Sequence, residues 1–194
     1  MKKIYILMSH TGTALSNLIK LYTKNEYTHV SISLDENLNE LYSFGRLNPY
    51  NPFIGGFVHE KINSGTYKRF KNTTSVLYSV DVEDEVYYKV KKEIKDIEKN
   101  KDLYDFNILG LFCVAINKKI SRDTAFYCAE FVRYVLEEGG IKLNLPELIK
   151  PEDFKKLENK KLIYKGLLRD FENKNNIYIN KNQNGLILIN KSVA

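Results

Sequence analysis

Tyr27-Thr28-His29-Val30-Ser31-Ile32-Ser33-Leu34 is the stretch whose reading decides the architecture. From position 29 it alternates strictly, with Val30, Ile32 and Leu34 on one side and His29, Ser31 and Ser33 on the other. Side chains of a strand project to opposite faces in turn, so the pattern predicts a half-buried strand whose polar face carries His29. Asp35-Glu36-Asn37 reads as a turn, and Glu40-Leu41-Tyr42-Ser43-Phe44 as the returning strand of a hairpin. The register decides which side chains meet the histidine. A two-residue turn at Glu36-Asn37 puts Glu40 and Tyr42 on its face, whereas a slip of one residue brings Leu41 and Ser43 there instead.

Upstream, residues 4–8 read as a buried strand, and Thr11-Gly12-Thr13 supplies the turn and cap of a helix with Ala14, Leu15, Leu18, Ile19 and Tyr22 on one face. Downstream, Asn48-Pro49-Tyr50-Asn51-Pro52 followed by Gly55-Gly56 is the most loop-like segment, with His59 in its Gly-rich surroundings. Residues 74–82 alternate as a strand, and 83–100 carry a helical stripe of Val86, Val90, Ile94 and Ile97. The apolar stretch 104–116 suits a buried helix or a helix plus loop. A helix is expected over 124–139, with Phe131, Val132, Val135 and Leu136 inward and Gly139-Gly140 as its stop. Pro151 opens a short helix, and strand-like pieces at 162–164, 177–179 and 186–189 end the chain. Hairpins and separate helices together predict an α+β protein. No repeat or linker divides the chain, so residues 1–194 are expected to form one domain, with 170–194 as a peripheral C-terminal extension.

The composition fits one core. The chain has 194 residues, 43% of them hydrophobic and only 4 of them proline, which matches a folded domain rather than a disordered one. Its net charge of +6 is dispersed: the lysine pairs at 91-92, 118-119 and 155-156 are each interrupted by acids or apolar residues. Such a distribution argues against a nucleic-acid groove, which needs a concentrated basic stripe. The apolar run after Lys2-Lys3 is short and meets Ser9-His10-Thr11-Gly12 without a small-residue cleavage site, and residues 108–116 are too few to span a bilayer. A cytoplasmic protein without signal peptide or integral membrane span is expected. Two cysteines, Cys113 and Cys128, agree with a reducing compartment that leaves a thiol available for chemistry. No Cys/His set has zinc spacing, so neither metal nor organic cofactor is expected.

Cys128 sits in Phe126-Tyr127-Cys128-Ala129-Glu130-Phe131-Val132, at the first turn of an amphipathic helix. There, unpaired N–H groups and the positive end of the helix dipole stabilise a thiolate, and the same N–H groups can hold an oxyanion. A buried packing cysteine is the plainer alternative. His29, on a strand, is held rigidly as a general base must be, though an outward-facing surface histidine would show the same pattern. A third residue would fix its tautomer. Glu40 is preferred for this, since an acid best stabilises an imidazolium, with Ser43 or Tyr42 as substitutes. Tyr127, Tyr27 and Thr11 are the candidate substrate contacts, weighed against simple packing.

The order of these elements resembles a known family. A Thr28-His29-Val30 strand after an N-terminal helix, then a hairpin, then a Tyr127-Cys128-Ala129-Glu130-Phe131-Val132 helix about a hundred residues on, is similar to the permuted NlpC/P60 hydrolases of the YiiX/YaeF type. Lecithin:retinol acyltransferase-like proteins are more distant relatives. Thr11-Gly12-Thr13-Ala14-Leu15-Ser16, Tyr104-Asp105-Phe106-Asn107-Ile108-Leu109-Gly110-Leu111 and Pro151-Glu152-Asp153-Phe154 add to the likeness, which spans roughly residues 1–170. It implies a papain-like fold in permuted order, an antiparallel sheet packed on the cysteine-bearing helix, and a Cys128–His29 pair that cleaves an amide or peptide bond through a thioester. The substrate implied is a small peptide- or amide-containing molecule, such as a muropeptide or a lipid. Three other readings stay open: a lipid ester or amide hydrolase or acyltransferase, a catalytically silent binding module that keeps the cleft, and a basic interaction protein.

Overall fold

A computed structural model describes residues 1–107, 125–171, 177–182 and 185–190, the last two as backbone only, and leaves out the side chains of Pro52 and Phe53. The chain is α+β, with a mostly antiparallel sheet. In chain order the elements are β1 (Lys2–His10), α1 (Ala14–Thr23), β2 (His29–Ser33), β3 (Leu41–Asn48), β4 (Asn51–Glu60), α2 (Gly65–Arg69), β5 (Thr74–Val82) and α3 (Asp84–Lys99). They continue with β6 (Asp105–Phe106), β7 (Ala125–Phe126), α4 (Cys128–Glu138), β8 (Lys160–Leu167), β9 (Ile177–Asn182) and β10 (Gly185–Asn190), and a 3-10 turn covers Pro151–Lys156. Six strands form the main sheet in the order β4-β3-β2-β1-β5-β8, all antiparallel.

Both faces of this sheet are covered. On one, Ile4, Ile6, Met8, Val30, Ile32, Tyr42, Phe44 and Val76 meet α3 and α4, whose Val90, Ile94, Phe131, Val132 and Val135 are sealed from solvent. Phe131 lies among the rings of Phe44 and Phe57, at 5.3 and 5.7 Å between centroids, within the range where edge and tilted aromatic pairs add to simple burial. Where α3 and α4 cross, a Cβ on Gly139 would come within 2.2 Å of Val90 Cγ2, so only glycine allows that approach. On the other face Tyr5, Leu7, Leu41, Tyr67, Leu77, Leu168 and Phe171 form a second cluster.

That second cluster changes the meaning of the serines. The side of β2 expected to be the polar face is not a solvent face, since Ser31 and Ser33 are fully buried, as are Ser9, Ser43, Ser75 and Ser79. Small hydroxyls let the covering layer close down, and most find partners within the fold. Ser33 bonds the Asp35 carbonyl and Ser75 the Gly166 carbonyl.

The hairpin register also differs from the two-residue turn. Leu34 N–H donates to Glu40 O at 3.1 Å, so residues 35–39 form the connection, tied by the Asp35 carboxylate to the N–H groups of Asn37 and Glu40. Leu38 occupies the left-handed region, φ 60°, because its side chain is drawn into the second cluster, where it is 2% exposed. The result is the pairing Ile32↔Tyr42 and Ser33↔Leu41, which sets Ser43 opposite Ser31 and Gly45 opposite His29.

The segment expected to be a loop is instead a strand. After the tight turn at Asn48-Pro49-Tyr50-Asn51, β4 pairs with β3 as far as Glu60, through Tyr42↔His59 and Leu41↔Glu60. Gly55 marks a close approach rather than a loop: a Cβ there would lie 2.4 Å from Phe106 Cδ1. The expected helix or loop over 104–116 falls mostly on residues 108–124, outside those described, together with Cys113.

Candidate active site

α4 begins at Cys128, four residues later than the sequence pattern suggests, because Ala125–Phe126 pairs as β7 with β6. Tyr127 is extended, at φ −102° and ψ 172°, and its N–H is accepted by the Glu130 carboxylate at 3.2 Å, which fixes the start of the helix. Cys128, 4% exposed and free, therefore takes the first helical position. The N–H groups of a helix's first turn have no intrahelical acceptor, so that position combines a positive potential with available donors. Phe131, Val132, Val135 and Leu136 bury the same stripe and anchor the helix beneath the thiol.

His29 stands at the start of β2, opposite Ser9 of β1, and its side chain keeps 21% exposure, enough for a reagent in the cleft to reach it. Its Nε2 lies 2.9 Å from Glu60 Oε1, and the Cys128 sulfur, lining the same cleft, is near enough to act on the charge of the ring. Since Nε2 faces the carboxylate, Nδ1 is the nitrogen left for the sulfur. Gly45 leaves room for the ring: a Cβ built there sits 3.4 Å from His29 Cε1.

Glu60, not Glu40, is thus the acid beside His29. The carboxylate is surrounded by donors: Ser43 Oγ at 2.9 Å on Oε1, Ser31 Oγ at 2.5 Å and Tyr67 OH at 3.2 Å on Oε2. Tyr67 in turn shares a 3.3 Å hydrogen bond with Ser9. Ser43, one proposed substitute, supports the acid rather than the imidazole. Glu40 reaches away to Lys91 at 3.2 Å. Tyr42 lies on the other face, stacked 5.8 Å from Phe57 and accepting from Lys95 Nζ at 2.8 Å. The five-residue connection explains all three positions, because the slipped register turns Glu40 and Tyr42 off the histidine's face.

The electrostatics follow from this packing. Burial alone would favour neutral imidazole, but the Glu60 carboxylate, and after it the Cys128 sulfur, overcome that and raise the His29 pKa well above the ordinary value. Burial would likewise raise the Glu60 pKa, and the His29 charge with the Ser31 and Ser43 hydroxyls brings it below the usual carboxylate range. Tyr67, raised by burial and by Glu60, stays a phenol and hence a donor. The arrangement can hold a charged imidazolium between an acid and a thiol near neutral pH.

The group opens into a cleft of about 150 Å³ that Cys128, His29 and Glu60 line with Thr11 and Tyr127. Thr11 donates to Thr13 and Ser16 hydroxyls. Tyr127 presents its ring, its hydroxyl being bonded to the Ile149 carbonyl at 2.8 Å. Tyr27 is elsewhere: it is 1% exposed, holds Glu152 through its N–H and lies under Lys155, so it contributes packing and not a cleft wall. His10 bonds Thr28, and His59 bonds the Asn39 carbonyl. Among the described residues no three His, Cys, Asp or Glu side chains gather as a metal site, and no helix is long and apolar enough to cross a membrane. No family model matches the chain, and no curated protein matches it significantly.

Proposed function

We propose that the protein is a cysteine hydrolase of the permuted papain-like class, which cleaves an amide or peptide bond through a thioester on Cys128. The observation that carries this reading is the grouping, on one cleft, of Cys128 at a helix start, His29, and a mostly buried Glu60 hydrogen-bonded to His29. The proton of the Cys128 thiol resides on His29, so that an imidazolium stands beside a thiolate, and the thiolate attacks the substrate carbonyl. The tetrahedral oxyanion is held by N–H groups at the start of α4. The imidazolium then gives its proton to the leaving amine, and the C–N bond breaks to leave the thioester. Water, deprotonated by His29, attacks the thioester, releases the acid and returns the proton to sulfur. Glu60 acts through His29 as a positioning residue that keeps Nδ1 toward the thiol and favours the charged ring.

A second reading, hydrolysis of a lipid ester or amide, is supported by Leu15, Ile19, Leu47 and Phe106, which add apolar surface to the cleft lining. The test is turnover of N-acyl dipeptide amides and of nitrophenyl esters of increasing chain length, by wild type, Cys128→Ala and His29→Ala. Turnover lost in both variants is the expected result. Substrate preference separates the peptide and lipid readings, and a folded wild type that turns over neither and whose thiol alkylates like free cysteine across pH rejects both in favour of a binding module.

A further inference from the structure

Arg46 follows Gly45 on β3 and lines the same cleft as Cys128. It is half-buried, and among the described residues it forms no ion pair: its hydrogen bond is from Nη2 to Thr13 Oγ1 at 2.9 Å, with the Phe70 ring 5.8 Å away. A guanidinium has five N–H donors in a planar fork suited to two acceptor oxygens, and one donor is occupied here. The counter-ion is missing for a definite reason. Glu60 is the carboxylate that lines the cleft, and His29, Ser31, Ser43 and Tyr67 already engage it. Thr13 also caps α1, a helix with no acidic side chain in its first turn, so the positive end of that helix adds to the field at Arg46. Lys61 adds a further exposed cation to the lining. Burial lowers the Arg46 pKa, the direction expected of a cation held without an acid partner.

We propose that Arg46, with Thr13 beside it, is an anion site, and that the substrate bears a carboxylate or phosphate group held there while its scissile carbonyl lies at Cys128. The anion site itself is independent of the chemistry at sulfur; its meaning as a specificity element rests on the hydrolase reading. The apolar surface of the lining then takes the uncharged part of the same molecule.

The first experiment titrates the ¹⁵N-labelled full chain with inorganic phosphate and, separately, with N-acetylglycine, following the amides of Thr13 and Gly45. Saturable shifts with at least one anion are expected, and the stronger arm tells phosphate from carboxylate. Arg46→Gln should weaken the binding about tenfold, as loss of a charge-assisted contact requires, and Arg46→Lys should keep part of it. No saturable shift with either anion, or equal affinity in Arg46→Gln, overturns the proposal. The second experiment compares alkylation of Cys128 by iodoacetate and by neutral iodoacetamide. Because His29 is common to both proteins, the ratio of the two rates should fall about tenfold in Arg46→Gln, and an unchanged ratio counts against the site. Should neither reagent label Cys128, the thioester chemistry fails while the titration still decides the role of Arg46.

Discussion

Replacing Glu60 by Gln tests the heart of the site with the least disturbance, since the amide keeps the size of the side chain and removes only its charge. With Nε2 and Oε1 2.9 Å apart, the charge centres of imidazolium and carboxylate lie about 4 Å apart, and at an effective dielectric of about 20 such a pair interacts by about 4 kcal/mol. That corresponds to about three pKa units at most, in line with the 1–3 units that a neighbouring opposite charge commonly moves a side chain. The His29 pKa in Glu60→Gln should therefore fall by about 1–3 units from its raised value, still biased upward by the Cys128 sulfur. In function this pulls in the alkaline limb of the activity profile, because the imidazolium needed to protonate the leaving group is lost at lower pH. The assay is an NMR titration of the His29 ring carbons in both proteins, paired with a pH series of turnover. A shift of less than about half a unit would refute the argument that Glu60 sets the charge of His29, whatever happened to activity.

Three further outcomes are expected. The depressed Glu60 contributes stability that is whole above its unfolded value, about 4.3, and is lost as pH falls through its folded value; the raised His29 contributes stability that is whole below about 6.5 and is lost as pH rises through its folded value. Their joint contribution to the free energy of urea denaturation should peak between about pH 4.3 and 6.5 and flatten in Glu60→Gln, whereas parallel curves for the two proteins would contradict it. Glu40→Gln removes only a partly exposed pair with Lys91, so stability should change by less than about 1 kcal/mol and the His29 titration should stay in place, a result opposite to that for Glu60. Phe131→Ala, at a fully buried ring between Phe44 and Phe57, should cost about 3–5 kcal/mol by chemical denaturation, and a loss below 1 kcal/mol would mean that α4 is not packed as described.

What the sequence revealed about the site divides by range of interaction. Cys128 and His29 carry local signals, a helix start and a strand alternation, and both are placed accordingly. Glu60 is hidden because Pro49, Pro52, Gly55 and Gly56 imitate a loop, and Phe57-Val58-His59-Glu60, two apolar residues followed by two polar ones, offers no alternation to mark β4. Gly55 answers to Phe106, a residue about fifty positions away whose approach no local pattern announces. The hairpin partner β3 is the nearest strand to His29 and so the natural place to look for its acid, but the ion pair crosses to the next one, β4. The register was ambiguous for a similar reason: Asp35 caps two backbone N–H groups and Leu38 turns inward, so the connection is wider than its turn residues suggest. Burial of the serine face depends on Tyr67, Leu168 and Phe171, which come from elsewhere in the chain.

The order of the parts along the chain has a consequence for synthesis. His29 and Glu60 meet within a meander of three consecutive strands, whereas Cys128 follows His29 by about a hundred residues. A ribosome adding about 5–20 residues each second finishes the imidazole's cradle several seconds before the sulfur is made. The nascent chain thus carries an acid–base pair with nothing to activate, and the last part delivered is the one that can react.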